Sequence, residues 1–147
     1  MGCTKRGKGT KIMLASEGRG LPVAVHTAPA NKAEVHLIEP TLDNVSIFFG
    51  PPKHLLYDRA ADSDPLRRHL AEKHDIDLVC PHRKNRTRPA TQDGRKLRRY
   101  KRRWKVERLV AWLHNYRRTV VRWEYLPEMF EAFVQVACIL ILLKQFS

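Results

Sequence analysis

Two acids stand out by what surrounds them. Asp58 closes the short apolar run "KHLLYD" and is followed by "RAADSDP", while Glu107 sits inside "RRYKRRWKVERLVAWL", residues 98–113, among a crowd of cations. An acid at the end of an apolar strand lies where α/β sheets place their ligands, outside the carboxyl ends of the strands. The same residue type also caps the turn that follows a strand. Read as a helix, the second stretch puts Tyr100, Arg103 and Glu107 at i, i+3 and i+7, on one side, with Trp104 beside them. Glu107 is there either an ion-paired surface residue, with Arg103 and Arg108 at hand, or a carboxylate that binds a metal. Two carboxylates from different elements, beside strong positive charge, are what Mg²⁺-dependent phosphoryl transfer requires. The acids hold metal ions that activate an attacking oxygen and stabilise the leaving one, and the cations hold the polyanion.

The charge balance points the same way. Lys and Arg number 28 against 15 Asp and Glu, a net charge of +13. From Arg83 to Arg122 there are sixteen Lys and Arg against only Asp93 and Glu107, a net +14, so the rest of the chain is nearly neutral. A solvated helical face mixes both signs; a run this one-sided suggests a polyanionic partner, most simply nucleic acid. The 147 residues suffice for about one domain, and a hydrophobic share of 43% fits a globular chain rather than a disordered tail. Cys3, Cys80 and Cys138 are far apart and odd in number, which fits free thiols in a reducing cytoplasm. Cys80-Pro81-His82 has no second pair to complete a zinc site. In "MFEAFVQVACILILLKQF" the uninterrupted apolar part, Val136 to Leu143, falls far short of the ~20 residues of a membrane span. It reads as a buried core helix, and no membrane is expected as a partner.

These residues need elements to position them. "TKIMLAS" and "LPVAVHTA" are strand candidates, with the glycines of "EGRG" between them, predicting a hairpin over 9–28. "NKAEVHLIEPTLDNV" has apolar residues at helical spacing, with Pro40 expected to break or kink the helix, and "GPP" at 50–52 reads as a stop. A short strand over 53–58 carries Asp58; Asp64 before Pro65 starts a helix, and "IDLVCP" is another strand. A basic loop over 83–94, a helix over 95–118 that carries Glu107 and a core helix over 127–146 complete the order. Strands alternating with helices predict an α/β layer fold.

"GTKIMLASEGRGLPVAVHTAPANKAEVHLIEP", "LLYDRAADSDPLRRHL", "PHRKNRTRPATQDGRKLRRYKRRWKVERLVAWLHNYRRTVVRWE" and "AFVQVACILILL" together resemble DDE-type transposases of bacterial insertion sequences, of the insertion-sequence-five group. The resemblance runs over nearly the whole chain in the same order, and "RRYKRRWKVERLVAWLHNYRR" is its most specific part. It implies a ribonuclease-H-like fold, a mixed sheet flanked by helices, with two aspartates and a glutamate that bind Mg²⁺ (or Mn²⁺). Asp58 matches the second aspartate and Glu107 the glutamate; Tyr100 and Arg103 match the tyrosine and arginine that precede it. Arg103 is expected to hold phosphate, with Arg102, Lys105, Arg98, Arg99, Arg117 and Arg118 as further DNA-binding residues and Trp104 in support.

Two departures from the family pattern follow. Ala61 stands where the family usually has a tyrosine after its second aspartate. The family's first aspartate lies on a strand upstream of "KRGKGTK", where this chain has no acid, and Glu17 in the hairpin turn does not replace it. The expectation is therefore a partial ribonuclease-H-like domain over 1–147, lacking its first strand and inactive on its own, either the second reading frame of a frameshifted element or a decayed remnant. The implied activity is Mg²⁺-assisted cleavage and transfer of DNA strands, with transposon ends and target DNA as partners and a bacterial cytoplasmic, nucleoid-associated location. The competing expectation is a basic DNA-binding protein, without enzymatic activity, that regulates the full-length transposase by joining it or its first-frame product.

Overall fold

The computed structural model describes residues 2–5, 7–45, 50 and 52–146. Pro51 of the expected "GPP" stop lies outside the described residues. The chain forms two compact units, one made of residues 1–47 with 105–147 and the other of residues 48–104. Both units mix strands and helices, so the chain is α/β.

In the first unit, strands β1 (Gly2–Thr4), β2 (Gly7–Ser16) and β3 (Pro22–Pro29) form an antiparallel sheet in that order. The β2–β3 register runs from Thr10 opposite Pro29 to Ala15 opposite Ala24, with an irregularity at Ser16. The connecting turn closes through Gly20 N–H to the Glu17 carbonyl, at 2.8 Å. The Glu17 carboxylate accepts from the Arg19 and Leu21 N–H groups at 2.7 and 3.2 Å, which gives this acid a structural task. Gly20 has φ of 92°, and a Cβ there would lie 3.1 Å from both the Lys105 Cβ and an Arg108 guanidinium nitrogen. A side chain there would be strained by the backbone and crowded against Lys105 and Arg108.

After a 3₁₀ turn over Glu34–Leu37 comes α1 (Ile38–Asp43), which contains Pro40. The expected break at Pro40 does not occur. Pro40 is the third residue of α1, where the missing N–H has no partner to lose inside the helix, so the ring is tolerated.

The same unit contains α4 (Trp104–Leu113), whose first residue belongs to the other unit, then α5 (Arg117–Val120) and α6 (Pro127–Leu143). Pro127 starts α6 where its fixed φ suits the first turn. The core joins Val25 of β3, Leu109 and Leu113 of α4, and Phe130, Val134, Ala137, Cys138 and Ile141 of α6, with Ile12, Leu14, Trp112 and Tyr116 packed against it. Glu131 fixes α6 to the sheet by accepting from the backbone N–H and the hydroxyl of Thr27, both at 2.7 Å. No helix among the described residues is long and apolar enough to cross a membrane.

In the second unit, β4 (His54–Leu56) and β5 (Asp77–Val79) pair in parallel, His54 opposite Asp77 and Leu56 opposite Val79. A parallel pair needs a crossover, here the helix α2 (Asp64–His74). The helix begins one residue earlier than Asp64 suggested, because the Ser63 hydroxyl takes the N-cap and accepts from Leu66 N–H at 3.4 Å. Asp75, with φ of 54°, ends it in a left-handed cap. Ala61, Leu70, Ile76, Leu78, Val79 and Cys80 are buried.

The segment 95–118 is not the single helix its pattern suggested. It divides into α3 (Gly94–Leu97), a 3₁₀ stretch Arg99–Arg103, α4 and α5. The 3₁₀ stretch covers the densest part of the cation run.

Leu109 is fully buried at the centre of the first unit. Leu109→Ala should cost about 3 kcal/mol in urea unfolding, whereas the exposed Arg99→Ala should change stability by less than about 0.5 kcal/mol. Equal effects would place the core elsewhere.

Candidate nucleic-acid and metal site

Asp58 follows β4, whose direction continues one residue further through a Tyr57 N–H bond to the Val79 carbonyl at 3.1 Å. Its backbone is extended, and its carboxylate splits its work. Oδ1 accepts from Ala60 N–H at 2.8 Å and so caps the 3₁₀ turn Arg59–Ala61, while Oδ2 faces the Arg103 guanidinium at 3.7 Å. That separation is an ion pair without a hydrogen bond, and it leaves Oδ2 able to take another cation. Arg103 is held in turn by Tyr100: Nη1 donates to the phenol oxygen at 3.0 Å and the guanidinium lies 5.9 Å from the ring centroid. In 3₁₀ geometry residues three apart eclipse, which is why these two side chains meet. The second unit thus brings together Asp58, Arg103 and Tyr100 of the expected site.

The turn after Asp58 rests on Asp62, which the sequence reading passed over. Its side chain is 2% exposed. Oδ1 receives His82 Nδ1 at 2.8 Å, Arg67 Nη2 at 3.2 Å and Arg86 Nη1 at 3.4 Å, and Oδ2 accepts from the Arg83 N–H at 2.8 Å. Burial alone would raise the Asp62 pKa; the Arg83 N–H bond, with those from His82 and Arg67, outweighs it and holds the carboxyl at about 2. Asp64 accepts from Arg86 at 3.1 Å and from Arg88 at 3.3 Å, and the Arg86 hydrogen bond draws its pKa down. The Arg83 side chain donates to the carbonyls of Arg59 and Ala60, at 3.3 and 3.0 Å. Much of the basic loop is therefore committed to the backbone and carboxylates just after Asp58. The signal was in "DRAADSD" and "RKNRTR", three acids and four cations some twenty residues apart, which a net-charge count conceals. Ala61 is fully buried, so this position serves packing.

Glu107 belongs to the first unit, in the first turn of α4, and is exposed. A negative charge there is favoured by the helix dipole. Its neighbours turn to the hairpin: Lys105 Nζ donates to the Gly18 carbonyl and Arg108 Nη2 to the Arg19 carbonyl, the latter at 2.8 Å. Arg108 also stacks on Trp112 at 4.6 Å. Arg118 pairs with Glu124 at 2.7 Å and lies over the Phe133 ring, 5.0 Å from its centroid. Of the seven cations expected at DNA, Lys105 and Arg118 thus spend donors within the first unit. Arg98, Arg99 and Arg102 in the second unit, and Arg117 in the first, are exposed with no side-chain partner among the described residues. Trp104 is half exposed.

The second unit thus carries a capped strand-end carboxylate beside an arginine, and further along its chain the exposed Arg98, Arg99 and Arg102. The chain belongs to the transposase DDE domain family, whose pattern it matches over residues 1–142. A protein of Burkholderia cepacia named "Putative transposase for insertion sequence element IS402" is 31% identical over 140 residues, covering 90% of this chain. The match covers 62% of that relative's length. No solved structure matches the chain.

Because Asp62 has a lowered pKa in the fold, it stabilises the protein above its unfolded value near 4, and that stability is lost as pH falls through about 2. The linked contribution is on the order of 2 kcal/mol. Thermal melts between pH 5 and pH 2 should show this loss, and Asp62→Asn should be destabilised at pH 7 and flatter in the acid range. An unchanged acid profile in Asp62→Asn would remove Asp62 from the account.

Proposed function

We propose that the chain is the catalytic part of an insertion-sequence transposase, with a ribonuclease-H-like fold, acting on transposon-end and target DNA. The observation that carries this reading is Asp58 at the carboxyl end of a parallel strand, one oxygen capping the next turn and the other turned to Arg103. Family membership supplies the chemical class.

The family generally uses divalent metal ions, and the donors fit one. Carboxylate oxygens are the ligands of hard cations such as Mg²⁺ and Mn²⁺, and Asp58 Oδ2 accepts no hydrogen bond from the described residues. Asp58 and, by its motif, Glu107 are the residues proposed to hold the metal. Bound metal would polarise the phosphodiester and lower the pKa of the attacking hydroxyl or water.

The remaining work belongs to the chain's own groups. Ala60 N–H fixes the rotamer of Asp58, so that its second oxygen keeps one direction. Tyr100 holds Arg103 beside that oxygen, where the guanidinium can balance carboxylate charge or pass to a phosphate oxygen when DNA arrives. Arg98, Arg99, Arg102 and Arg117 are exposed and able to bind backbone phosphates, which sets position without reading sequence.

Two measurements test this reading. Mn²⁺ binding in the presence of DNA, followed by electron paramagnetic resonance, should weaken at least tenfold in Asp58→Asn and remain unchanged in Arg102→Ala; unchanged binding in Asp58→Asn would contradict the metal assignment. In DNA-binding titrations the triple change of Arg98, Arg99 and Arg102 to Ala should reduce the slope of log affinity against log salt by about 2.7, close to 0.9 for each lost phosphate contact. A slope that stays the same would mean that these arginines do not meet DNA.

A further inference from the structure

The turn between α5 and α6 is held from inside by two charged side chains. Arg122 donates from Nε to the Glu124 carbonyl at 2.8 Å, from Nη2 to the Tyr125 carbonyl at 2.6 Å and from Nη1 to the Thr10 hydroxyl of β2 at 2.9 Å. The Glu124 carboxylate, 8% exposed, accepts from Arg118 Nη1 at 2.7 Å and from the Trp123 N–H at 3.1 Å. Together these bonds fix the path of residues 122–125.

The frame presents two aromatic rings. Exposure alternates along the turn, with Trp123 76% exposed, Glu124 turned inward and Tyr125 94% exposed. Large aromatic rings gain most from leaving water, and these two are kept in it by a backbone that a neighbouring arginine and glutamate determine. Rings held in this way are pre-organised for a ligand with a flat face, since the turn has little freedom left to lose on binding.

The surroundings select the ligand. From Arg117 to Leu126 there are three arginines against Glu124 alone, and Arg118 already pairs that acid. Arg117 is exposed, and the Arg118 side chain is 59% exposed. Val120, Val121 and Arg122 also line a cleft of about 520 Å³ within the first unit, together with Lys8, Thr10 and His114. That volume lies in the ~300–1,000 Å³ range of small-ligand clefts. Cations beside flat rings match a nucleotide strand, phosphates meeting the first and bases the second. An apolar protein face would instead desolvate the arginines without acids to meet them. In a duplex each base is already stacked on its neighbours, so these rings meet a base face only where pairing is open.

We propose that Trp123 and Tyr125 form a stacking platform for unpaired nucleotides of a DNA strand, with Arg117, Arg118 and Lys8 on its phosphates. This rests on the reading of the chain as a DNA-acting protein and adds the form of DNA that this turn holds.

A short oligothymidylate carrying one 2-aminopurine, titrated with the 147-residue protein, should lose fluorescence as that base stacks. Trp123→Ala and Tyr125→Ala should each weaken single-strand binding about tenfold and relieve the quench, while binding of a duplex of the same length should change less than about twofold. Circular dichroism and melting should be unchanged in both, and Trp123→Phe should keep the quench. Equal losses on duplex and single strand would overturn the proposal. So would quenching and single-strand affinity that survive the double change of Trp123 and Tyr125 to Ala; duplex binding in that case leaves the DNA-acting reading standing. A double variant whose one defect is the loss of a larger assembly in sedimentation would assign the rings to a protein contact and overturn it too. Protein that binds neither duplex nor single strand would overturn the DNA-acting reading and this proposal with it.

Discussion

A carboxylate with 2% of its side chain exposed is costly unless its environment repays the lost water, and at Asp62 the repayment comes from His82, Arg67, Arg86 and the Arg83 N–H. This one acid joins three parts of the second unit: the turn after β4, the crossover helix α2 and the loop after β5. Arg67 carries the connection further by donating to the Leu78 carbonyl at 2.7 Å. The position of Asp58 depends on this arrangement, because the turn it caps ends at Asp62. Removing Asp62 would leave several cations without their counter-ion, which costs more than the loss of any single surface pair.

The first unit follows a related rule with carbonyls in place of a carboxylate. Lys105 and Arg108 hold the carbonyls of the hairpin turn, while one turn along the same helix Leu109 enters the core against α6. One short helix thus exposes Glu107, anchors the hairpin and fills the core, and the glycine at position 20 is what lets it come close. The net charge of +13 thus contains cations with a structural task. Some cations meet carbonyls and carboxylates and so build the two units, while others, Arg98, Arg99, Arg102 and Arg117 among them, are exposed.

Patterns set by near neighbours were legible in the sequence. The paired glycines of "EGRG" gave the hairpin, Pro65 and Pro127 marked helix starts, and an acid after an apolar run marked the strand end at Asp58. What escaped depends on distant partners or on position within an element. Pro40 is harmless because it falls in a first turn, a boundary that periodicity does not define. Asp62 gained its weight from residues twenty or more positions away. The helical pattern from Arg95 was sound in composition, yet the charge density that made the stretch conspicuous coincides with its 3₁₀ stretch. The core side of α6 was expected; its exposed apolar side emerges only once burial is known.

Iron-directed cleavage of the polypeptide tests the central claim most directly. With Fe²⁺ in place of the native ion, and ascorbate and peroxide added to the DNA-bound protein, hydroxyl radicals cut the backbone next to the metal. The account predicts cuts in the segment around Asp58, suppressed by excess Mg²⁺ and lost in Asp58→Asn. Cuts confined to other segments, or cuts at this one that Mg²⁺ does not suppress, would contradict it.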